Sequence, residues 1–404
     1  MSLAYSSEPS RSWVLARLIL GQIFLHGSMA GMRMAAPLLA LREGYSALSV
    51  GVLLALFSLT QVFLAIPAGR YADRHGLLKP MGLGVSAAML GAGLAAAVPH
   101  FPVLCASALL MGGATGVAIV ALQRHVGRAA QDTTELKQVF SWLAIGPAIS
   151  NFLGPVAAGL LIDHGGVLFG GTAGDSSGFR AAFLLMALMP LMTWFWIRHT
   201  RELPPVEHSD QAKQSRVWHL LRDPQMRRLL LVNWLLSSCW DVHTFVVPML
   251  GHERGFSASV IGTILGSMAV SGAAVRVLMP LVAAHLREWV VVSGSMVATA
   301  LLFAVYPFMV SPWTMGLCSV LLGLSLGSVQ PMILSTLHQI TPHALHGQAI
   351  GLRLMTLNLS SVLMPMLFGT VGLVVGVSVV FWTVGGLVGA GAPLAWRLRP
   401  GGET

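Results

Sequence analysis

Four charged side chains stand inside or at the edge of long apolar segments. Arg33, Asp241 and Arg276 lie well within such segments, and Arg353 stands near the start of another. A charge at the centre of a membrane helix costs about 2.5–3.5 kcal/mol on insertion scales. These residues are therefore candidates for binding a proton or a charged ligand. For Arg33 and Asp241 the alternative is a static ion pair that only fixes helix packing.

Polar residues also follow one stripe of the first apolar segment. Gln22, His26 and Arg33 are separated by steps of four and seven residues, which return to nearly the same face of a helix. A shift of 211 residues places Asn233 of the seventh segment opposite Gln22 of the first, and Asp241 lies on the same side as Asn233. Both segments are therefore predicted to present a polar stripe to a wet site that binds substrate or protons.

Three more polar residues in apolar segments are candidates for the same site. Arg276 either lines a cavity or extends its guanidinium to the membrane surface. Gln330 and Asn358 either contact a ligand or form hydrogen bonds between helices, which are worth about 0.6 kcal/mol each. Arg353 is either a gating residue at the start of its helix or an interfacial one.

The elements that position these residues follow from composition. The chain has 404 residues, of which 55% are hydrophobic and 10% charged, and its mean hydropathy is +0.75. An apolar run of about 20 residues spans a bilayer as a helix. The sequence therefore predicts an all-α membrane protein with twelve spans. They are placed at residues 18–40, 47–68, 80–99, 102–123, 138–162, 179–197, 227–250, 259–281, 289–309, 313–336, 350–374 and 376–396.

An internal repeat divides the spans into two sets of six. Residues 37–51 and 248–262 share proline, leucine, glycine, serine and alanine positions at a shift of 211, and Gly112 matches Gly323 at the same shift. Such a parallel repeat is an organisation known from transporters. The predicted division is a first bundle at 1–197, a cytoplasmic linker at 198–226 and a second bundle at 227–404. The linker is too short for a catalytic or nucleotide-binding domain.

The net charge of +9 reports topology rather than a nucleic-acid partner. With both termini in the cytoplasm, only Arg42, Arg180 and Arg254 face outward, and most other cations lie in cytoplasmic segments, as the positive-inside rule requires. The three cysteines lie far apart within spans, so we expect neither disulfides nor a metal site. Phosphate-binding and other enzyme motifs are absent, so the chain is not expected to be an enzyme.

Residues 69–80, between the second and third spans, carry a motif. Three cations and one anion there predict a short cytoplasmic loop, in which Gly69 and Gly76 suit a tight turn. Gly69, Asp73, Arg74 and Gly76 match the loop between helices two and three of the major facilitator superfamily, which this chain resembles. The resemblance implies two pseudo-symmetric six-helix bundles. It also implies a gating role for these residues, in which Asp73 latches one face closed and Arg74 supports it.

The resemblance has further implications for transport. Helices one and seven of the superfamily line a central cavity, so Arg33 and Asp241 are expected to face each other across it. Proton coupling through Asp241 then requires that this pair separate during the cycle. Proton-driven exporters of the superfamily usually carry an arginine in helix four, where this chain has Ala108. Coupling must therefore use Arg33, His26 or Arg276, or the protein is not driven by protons.

A pattern in the fifth span resembles the antiporter signature of the superfamily, in a degraded form. It comprises Ser150, Gly154, Pro155 and Gly159, and serine stands where the signature has glycine. The resemblance favours export over uptake. Close packing of small residues between helices is the alternative explanation.

Together these features predict a secondary transporter that exports small organic molecules by alternating access. No cofactor is expected, because the proton gradient supplies the energy. The expected partners are a small-molecule substrate and the lipid bilayer, with the protein as a monomer. Arginine greatly outnumbers lysine, which suggests a bacterial inner (plasma) membrane. An uptake symporter or uniporter is one alternative, and a membrane sensor or scaffold of the same fold is another.

Overall fold

Twelve long helices make up most of the part of the chain that the structure describes. The computed structural model describes residues 11–129, 142–143, 145–169, 176–203, 217–282, 287–341 and 346–399, which contain no strand. Each of the twelve helices contains a segment long and apolar enough to cross a membrane, so the predicted fold class is confirmed. Numbered α1 to α12, the helices are Arg11–Arg42, Ala47–His75, Leu78–Ala97, Phe101–Ala129, Ile145–His164, Ser176–Ile197, Pro224–Glu253, Ala258–Val282, Glu288–Val305, Pro312–Ile340, His346–Val375 and Val377–Trp396.

Side-chain caps explain where several helices begin. Ser46 accepts a hydrogen bond from the N–H of Ser49 before α2, and Ser311 accepts one from Thr314 before α10. Asp223 caps α7 by accepting a hydrogen bond from the N–H of Gln225, and the first residue of that helix is a proline, which has no N–H group. Such caps satisfy backbone donors that the helix itself leaves without partners.

The helices form two pseudo-symmetric bundles, α1 to α6 and α7 to α12, and their packing repeats as the sequence does. In the first bundle, a Cβ atom at Gly112 of α4 would overlap the carbonyl oxygen of Phe57 in α2. In the second bundle, a Cβ atom at Gly323 of α10 would overlap the carbonyl oxygen of Met268 in α8. Both pairs are related by the shift of 211 residues. Glycine at these positions lets the helix backbones approach closely.

An even number of spans places the start of α1 and the end of α12 at the same end of the molecule. We call it the terminal end, and we call the opposite end the far end. Two crossings between the bundles close the far end. In the α2/α11 crossing, Gly51 packs against the carbonyl group of Pro365, and Gly369 packs against Ala47 and Leu48.

The α5/α8 crossing is the counterpart of the α2/α11 crossing. Gly262 of α8 packs against the carbonyl group of Pro155, and Gly159 of α5 packs against Ala258 and Ser259. Each of these residues corresponds to one in the α2/α11 crossing at a shift of 210 or 211. Both crossings therefore close the far end with backbone contacts that only glycine allows.

The motif at residues 69–80 is mostly helical, which corrects the prediction of a twelve-residue loop. Helix α2 continues to His75, and α3 begins at Leu78. Gly69 lies within α2, where a Cβ atom would meet only Val120 at 3.9 Å, so no tight turn requires glycine there. Gly76 has a φ of +77°, in the region that favours glycine, so the tight turn occurs only at this position.

The predicted division into bundles and linker agrees with the helix order, but its limits stay a prediction. Residues 204–216 of the linker lie outside the described residues, as do residues 138–141 at the start of the predicted fifth span.

Candidate substrate cavity

A cavity of about 270 Å³ lies between the two bundles. Helices α1 and α5 line it from the first bundle, and α7, α8, α10 and α11 line it from the second. The lining residues of α5 lie in its first two turns, and those of α8 and α10 lie from the middle of each helix onwards. These parts of the three helices are the ones nearer the terminal end, so the cavity extends from the middle of the molecule towards that end. The polar and charged lining residues are Arg33, Asn151, Asn233, Ser237, Trp240, Asp241, Arg276, Gln330 and Ser361.

Asp241 and Arg33 line the cavity from opposite bundles. The Asp241 carboxylate accepts hydrogen bonds from the hydroxyls of Ser360 and Ser361 on α11, at 3.3 and 3.4 Å. Arg33 is near enough to attract this carboxylate electrostatically. Among the described residues, however, no hydrogen bond joins the two, and Nε of Arg33 has no partner. The charges therefore share a cavity without forming a direct pair.

Arg353 is buried, with 5% of its surface exposed, about two turns from the start of α11, and its interfacial position stays a prediction. Its guanidinium donates one hydrogen bond to Oδ1 of Asn233, at 3.3 Å, and another to Oε1 of Gln330. These bonds connect α11 to α7 and α10. The residue reaches two cavity-lining amides from behind the wall, and a gating role for it stays a prediction.

Arg276 of α8 lines the cavity, which favours the first of its two alternatives. Its Nε has no hydrogen-bond partner in the described part of the chain. Arg353 is close enough that the two guanidiniums repel each other. The wall formed by the second bundle thus carries two cations near its terminal end.

The polar stripe of α1 does not reach the cavity as a whole. Gln22 and His26 line a separate crevice of about 10 Å³, together with Met81 of α3 and Thr115 of α4. Oε1 of Gln22 and Nδ1 of His26 have no partner among the described residues. One face of α1 meets α3 and α4 near the terminal end and the cavity further along, so a shared face did not imply a shared site.

Asn358 of α11 is half-buried and is not among the residues that line the cavity. Asn233, its fellow candidate amide, lines the cavity and keeps Nδ2 without a partner in the described structure. A role for Asn358 in binding or coupling stays a prediction.

The residues of the resembled gating loop are only partly described. Arg74 is exposed at the end of α2, and the side chain of Asp73 lies outside the described part of the structure. The turn between α2 and α3 is contacted by a carboxylate that the sequence analysis did not predict. Glu202, from the segment after α6, accepts hydrogen bonds from the N–H groups of Leu77 and Leu78, at 2.7 and 2.5 Å. It thereby caps the start of α3.

The antiporter-like pattern in α5 packs against both bundles. Ser150 donates a hydrogen bond to the carbonyl oxygen of Ile23 in α1, at 3.0 Å. A Cβ atom at Gly154 would overlap the carbonyl oxygen of Gly27, also in α1. Pro155 and Gly159 belong to the α5/α8 crossing already described. The small residues therefore serve helix packing, and the link of this pattern to export stays a prediction.

At the far end, a carboxylate of α5 connects the first bundle to the second. Asp163, near the end of α5, accepts hydrogen bonds from the N–H groups of Ala258 and Ser259, at 3.0 and 2.7 Å. These are the first donors of α8, and a carboxylate at a helix start is favoured by the helix dipole as well. The contact adds a charged hydrogen bond to the glycine packing of the α5/α8 crossing.

Comparison with protein families gives matches over residues 18–352 and 229–404 to the family described as the Major Facilitator Superfamily. The chain belongs to this superfamily. Among its relatives, the multidrug resistance protein MdtG of Salmonella typhimurium is 25% identical over 373 residues, which are 88% of this chain and 86% of MdtG. MdtG of Salmonella newport is 26% identical over the same shares.

Solved structures of other superfamily members share the fold. A bacterial homologue of the human lysosomal transporter Spinster, in an inward-facing and occupied conformation, gives a TM-score of 0.80 at 14% identity and covers 97% of both chains. The nucleoside transporter NupG gives 0.72 at 15% identity, over 95% of this chain and 98% of NupG. At such identities the likeness concerns the fold alone.

Several polar residues of the cavity and of the helix ends were not among the predicted site residues, and four of them show why. Asn151 and Ser361 line the cavity, and Asp163 and Glu202 cap helices. The repeat offered one signal, because it pairs Ser150 with Ser360, the neighbour of Ser361. The two carboxylates gave none, since acidic residues near the ends of apolar spans are ordinary.

Proposed function

We propose that this superfamily member is a secondary transporter that exports small organic molecules in exchange for protons. The cavity carries the proposal, because it lies between two repeated bundles as the binding sites of such transporters do. It is closed at the far end by the two glycine crossings. Substrate enters from the terminal end, and the bundles then rock about the cavity to release it at the far end.

Export rather than uptake is supported by the relatives MdtG, which are named multidrug resistance proteins and align over 88% of the chain. The resemblance of α5 to the antiporter signature agrees with export, while the contacts of its residues are those of helix packing. Uptake of a small metabolite is the second candidate.

Proton exchange is assigned to Asp241. It is the only acidic residue among the described residues that line the cavity, and its partners are two serine hydroxyls. A proton on this carboxylate removes the charge that holds a cationic or hydrogen-bond-donating group of the substrate, so the proton and the substrate compete for Asp241. This competition is the coupling that exchange requires.

The orientation in the membrane is part of the proposal. The positive-inside rule places the terminal end in the cytoplasm of a bacterial cell, with the protein as a monomer in the inner membrane. The conformation described above then faces inward.

The test is intracellular accumulation of labelled amphiphilic drugs and metabolites in cells expressing wild type, Asp241→Asn or Arg33→Ala. The proton gradient is intact in one set and collapsed in the other. Wild type is expected to lower accumulation only with the gradient, and both variants to lose this effect at normal expression. Matched controls are Glu253→Gln and Arg227→Ala, which change exposed charges at the two ends of α7.

Each other outcome selects an alternative. Higher accumulation in the wild type identifies an importer. Gradient-dependent export that survives both substitutions assigns Asp241 and Arg33 a purely structural role and moves coupling to Arg276 or His26. Unchanged accumulation across the panel favours a sensor or scaffold.

A further inference from the structure

The charges around the cavity do not balance. Three guanidiniums, those of Arg33, Arg276 and Arg353, line the cavity or stand directly behind its wall, against one acidic residue, Asp241, among the described lining residues. Asp241 lies near Arg33 and accepts its hydrogen bonds from serines of α11. Arg276 and Arg353 repel each other and have no acidic hydrogen-bond partner in the described structure. Buried charges of one sign are costly unless a counter-charge joins them.

Arg353 also fixes the orientation of two amides. A guanidinium only donates hydrogen bonds, so its contacts engage the carbonyl oxygens of Asn233 and Gln330. The NH2 groups of both amides are thereby left as donors. Both residues line the cavity, and Nδ2 of Asn233 is buried without a partner in the described chain.

The terminal-end wall of the cavity therefore offers donors and positive charge together. Arg276 supplies a guanidinium whose Nε has no partner among the described residues, and the two amides supply NH2 groups. A guanidinium and amide donors match the oxygens of a carboxylate or phosphate. The volume of about 270 Å³ falls just below the range of roughly 300–1,000 Å³ of ordinary ligand pockets, which suits a molecule of metabolite size.

We propose that this wall binds the oxyanion, carboxylate or phosphate, of a small organic substrate. Arg276, Asn233 and Gln330 donate to the oxyanion, and Arg353 is a positioning residue that orients both amides. Asp241 lies about two turns further along α7 than Asn233, towards the far end, and repels the same oxyanion, which keeps it at the terminal-end wall. The inference rests on the proposed transport function only in taking the bound molecule to be the transported one.

The test uses the purified full-length chain in detergent, with thermal unfolding followed by tryptophan fluorescence. The probes are benzoate and phenylphosphonate, with benzylamine and benzyl alcohol as a cation and a neutral molecule of similar size, all at constant ionic strength. We expect the two oxyanions to raise Tm saturably at millimolar concentration and the other two probes to leave it unchanged.

Variants locate the site. Arg276→Gln is expected to weaken oxyanion binding at least tenfold, and Asp241→Asn to strengthen it because a repelling charge is lost. Arg227→Gln, an exposed change on α7, is the matched control and leaves binding as in wild type. Asn233→Asp replaces a donor by a carboxylate that pairs with Arg353 and repels an oxyanion, so it is expected to abolish the rise of Tm by benzoate while leaving the Tm without ligand as high as in wild type. A misfolded variant would show a lower Tm without ligand.

Several results overturn the proposal. The proposal fails if benzylamine raises the Tm of wild type as much as benzoate does. It also fails if the oxyanions still raise the Tm of Arg276→Gln, or if neither oxyanion raises the Tm of wild type saturably. Failure of the transport function gives a different pattern. Oxyanions then bind and depend on Arg276, while cells show no gradient-dependent transport.

Discussion

The α2/α11 and α5/α8 crossings share their backbone packing but differ in their polar contacts. In both, glycines and a proline carbonyl group bring two helices from different bundles together. Among the described residues, only the α5/α8 crossing adds a carboxylate, that of Asp163, which accepts hydrogen bonds from two N–H groups of the other bundle. At the repeat shift of 210, Leu373 stands where Asp163 does. The start of α2 is capped instead by Ser46 of its own bundle.

This difference separates two functions at the far end. The close approach of helix backbones is part of the repeated unit, so it occurs in both crossings. The hydrogen bonds to a charged group occur, among the described residues, in the α5/α8 crossing alone. Hydrogen bonds to a charged group are worth about 1.5–3 kcal/mol. We call the two hydrogen bonds that Asp163 accepts the polar lock. Opening the far end therefore has to break the polar lock at the α5/α8 crossing but only packing contacts at the α2/α11 crossing.

The largest effect is expected from bulky residues in the crossings. Gly51→Leu and Gly262→Leu each place a side chain against a proline carbonyl group of the other bundle. Overpacking costs about 1–3 kcal/mol even where neighbouring side chains can move, and a helix backbone cannot move away. Both variants are expected to lose transport, with the far end held open. The open state is measured as labelling of Ser237→Cys from outside by an impermeant maleimide, after replacement of the three native cysteines.

Gly294→Leu is the control for this pair, because no atom lies within 4 Å of a Cβ atom at Gly294. It should transport and label like the parent. If only one of the two crossing variants loses transport, the crossings are not equivalent and closure depends on one of them.

A smaller change separates the two crossings. A Cβ atom at Gly159 would overlap the carbonyl oxygen of Ala258 and lie 2.8 Å from Cα of Ser259, whereas one at Gly369 would lie 2.9 Å from the nearest atom. Gly159→Ala is therefore expected to reduce the transport rate severalfold more than Gly369→Ala. Equal rates in the two variants would show that the tighter fit at Gly159 does not matter for closure.

Removing the polar lock tests its contribution alone. In Asp163→Asn the charge at the start of α8 is lost and an NH2 group replaces one of the two accepting oxygens, so one hydrogen bond worth about 1 kcal/mol is lost. Because the contact joins the bundles, labelling of Ser237→Cys from outside should rise about fivefold, the equilibrium factor for that energy. Ser46→Ala removes a cap inside one bundle and should leave labelling unchanged. The lock has no role in closure if both variants label alike.

Much of the fold could be predicted from the sequence because its signals are local or periodic. Apolar runs of membrane length identify the helices, and the glycines at a shift of 210 or 211 residues identify equivalent crossings. Arg33 and Asp241 could be chosen for a similar reason, since a charge in an apolar span is conspicuous. Their placement on one cavity then follows from the paired bundles.

The remaining features depend on which neighbour a side chain meets. Helical spacing placed Gln22, His26 and Arg33 on one face of α1, but that face contacts α3 and α4 before it reaches the cavity. Asp163 and Glu202 act on backbone N–H groups 95 and 125 residues away in sequence. No residue pattern identifies a backbone donor that distant, because every residue except proline carries one.

The smallest effect is expected at the terminal end, where Glu202 caps α3 within the first bundle. Glu202→Gln should lower the Tm of the purified protein by a few degrees, because the charged cap of Leu77 and Leu78 is weakened. Labelling of Ser237→Cys from outside should not change, since this contact does not join the bundles. A rise in labelling comparable to that of Asp163→Asn would mean that the segment after α6 also controls the far end, and the two capping carboxylates would then share one function.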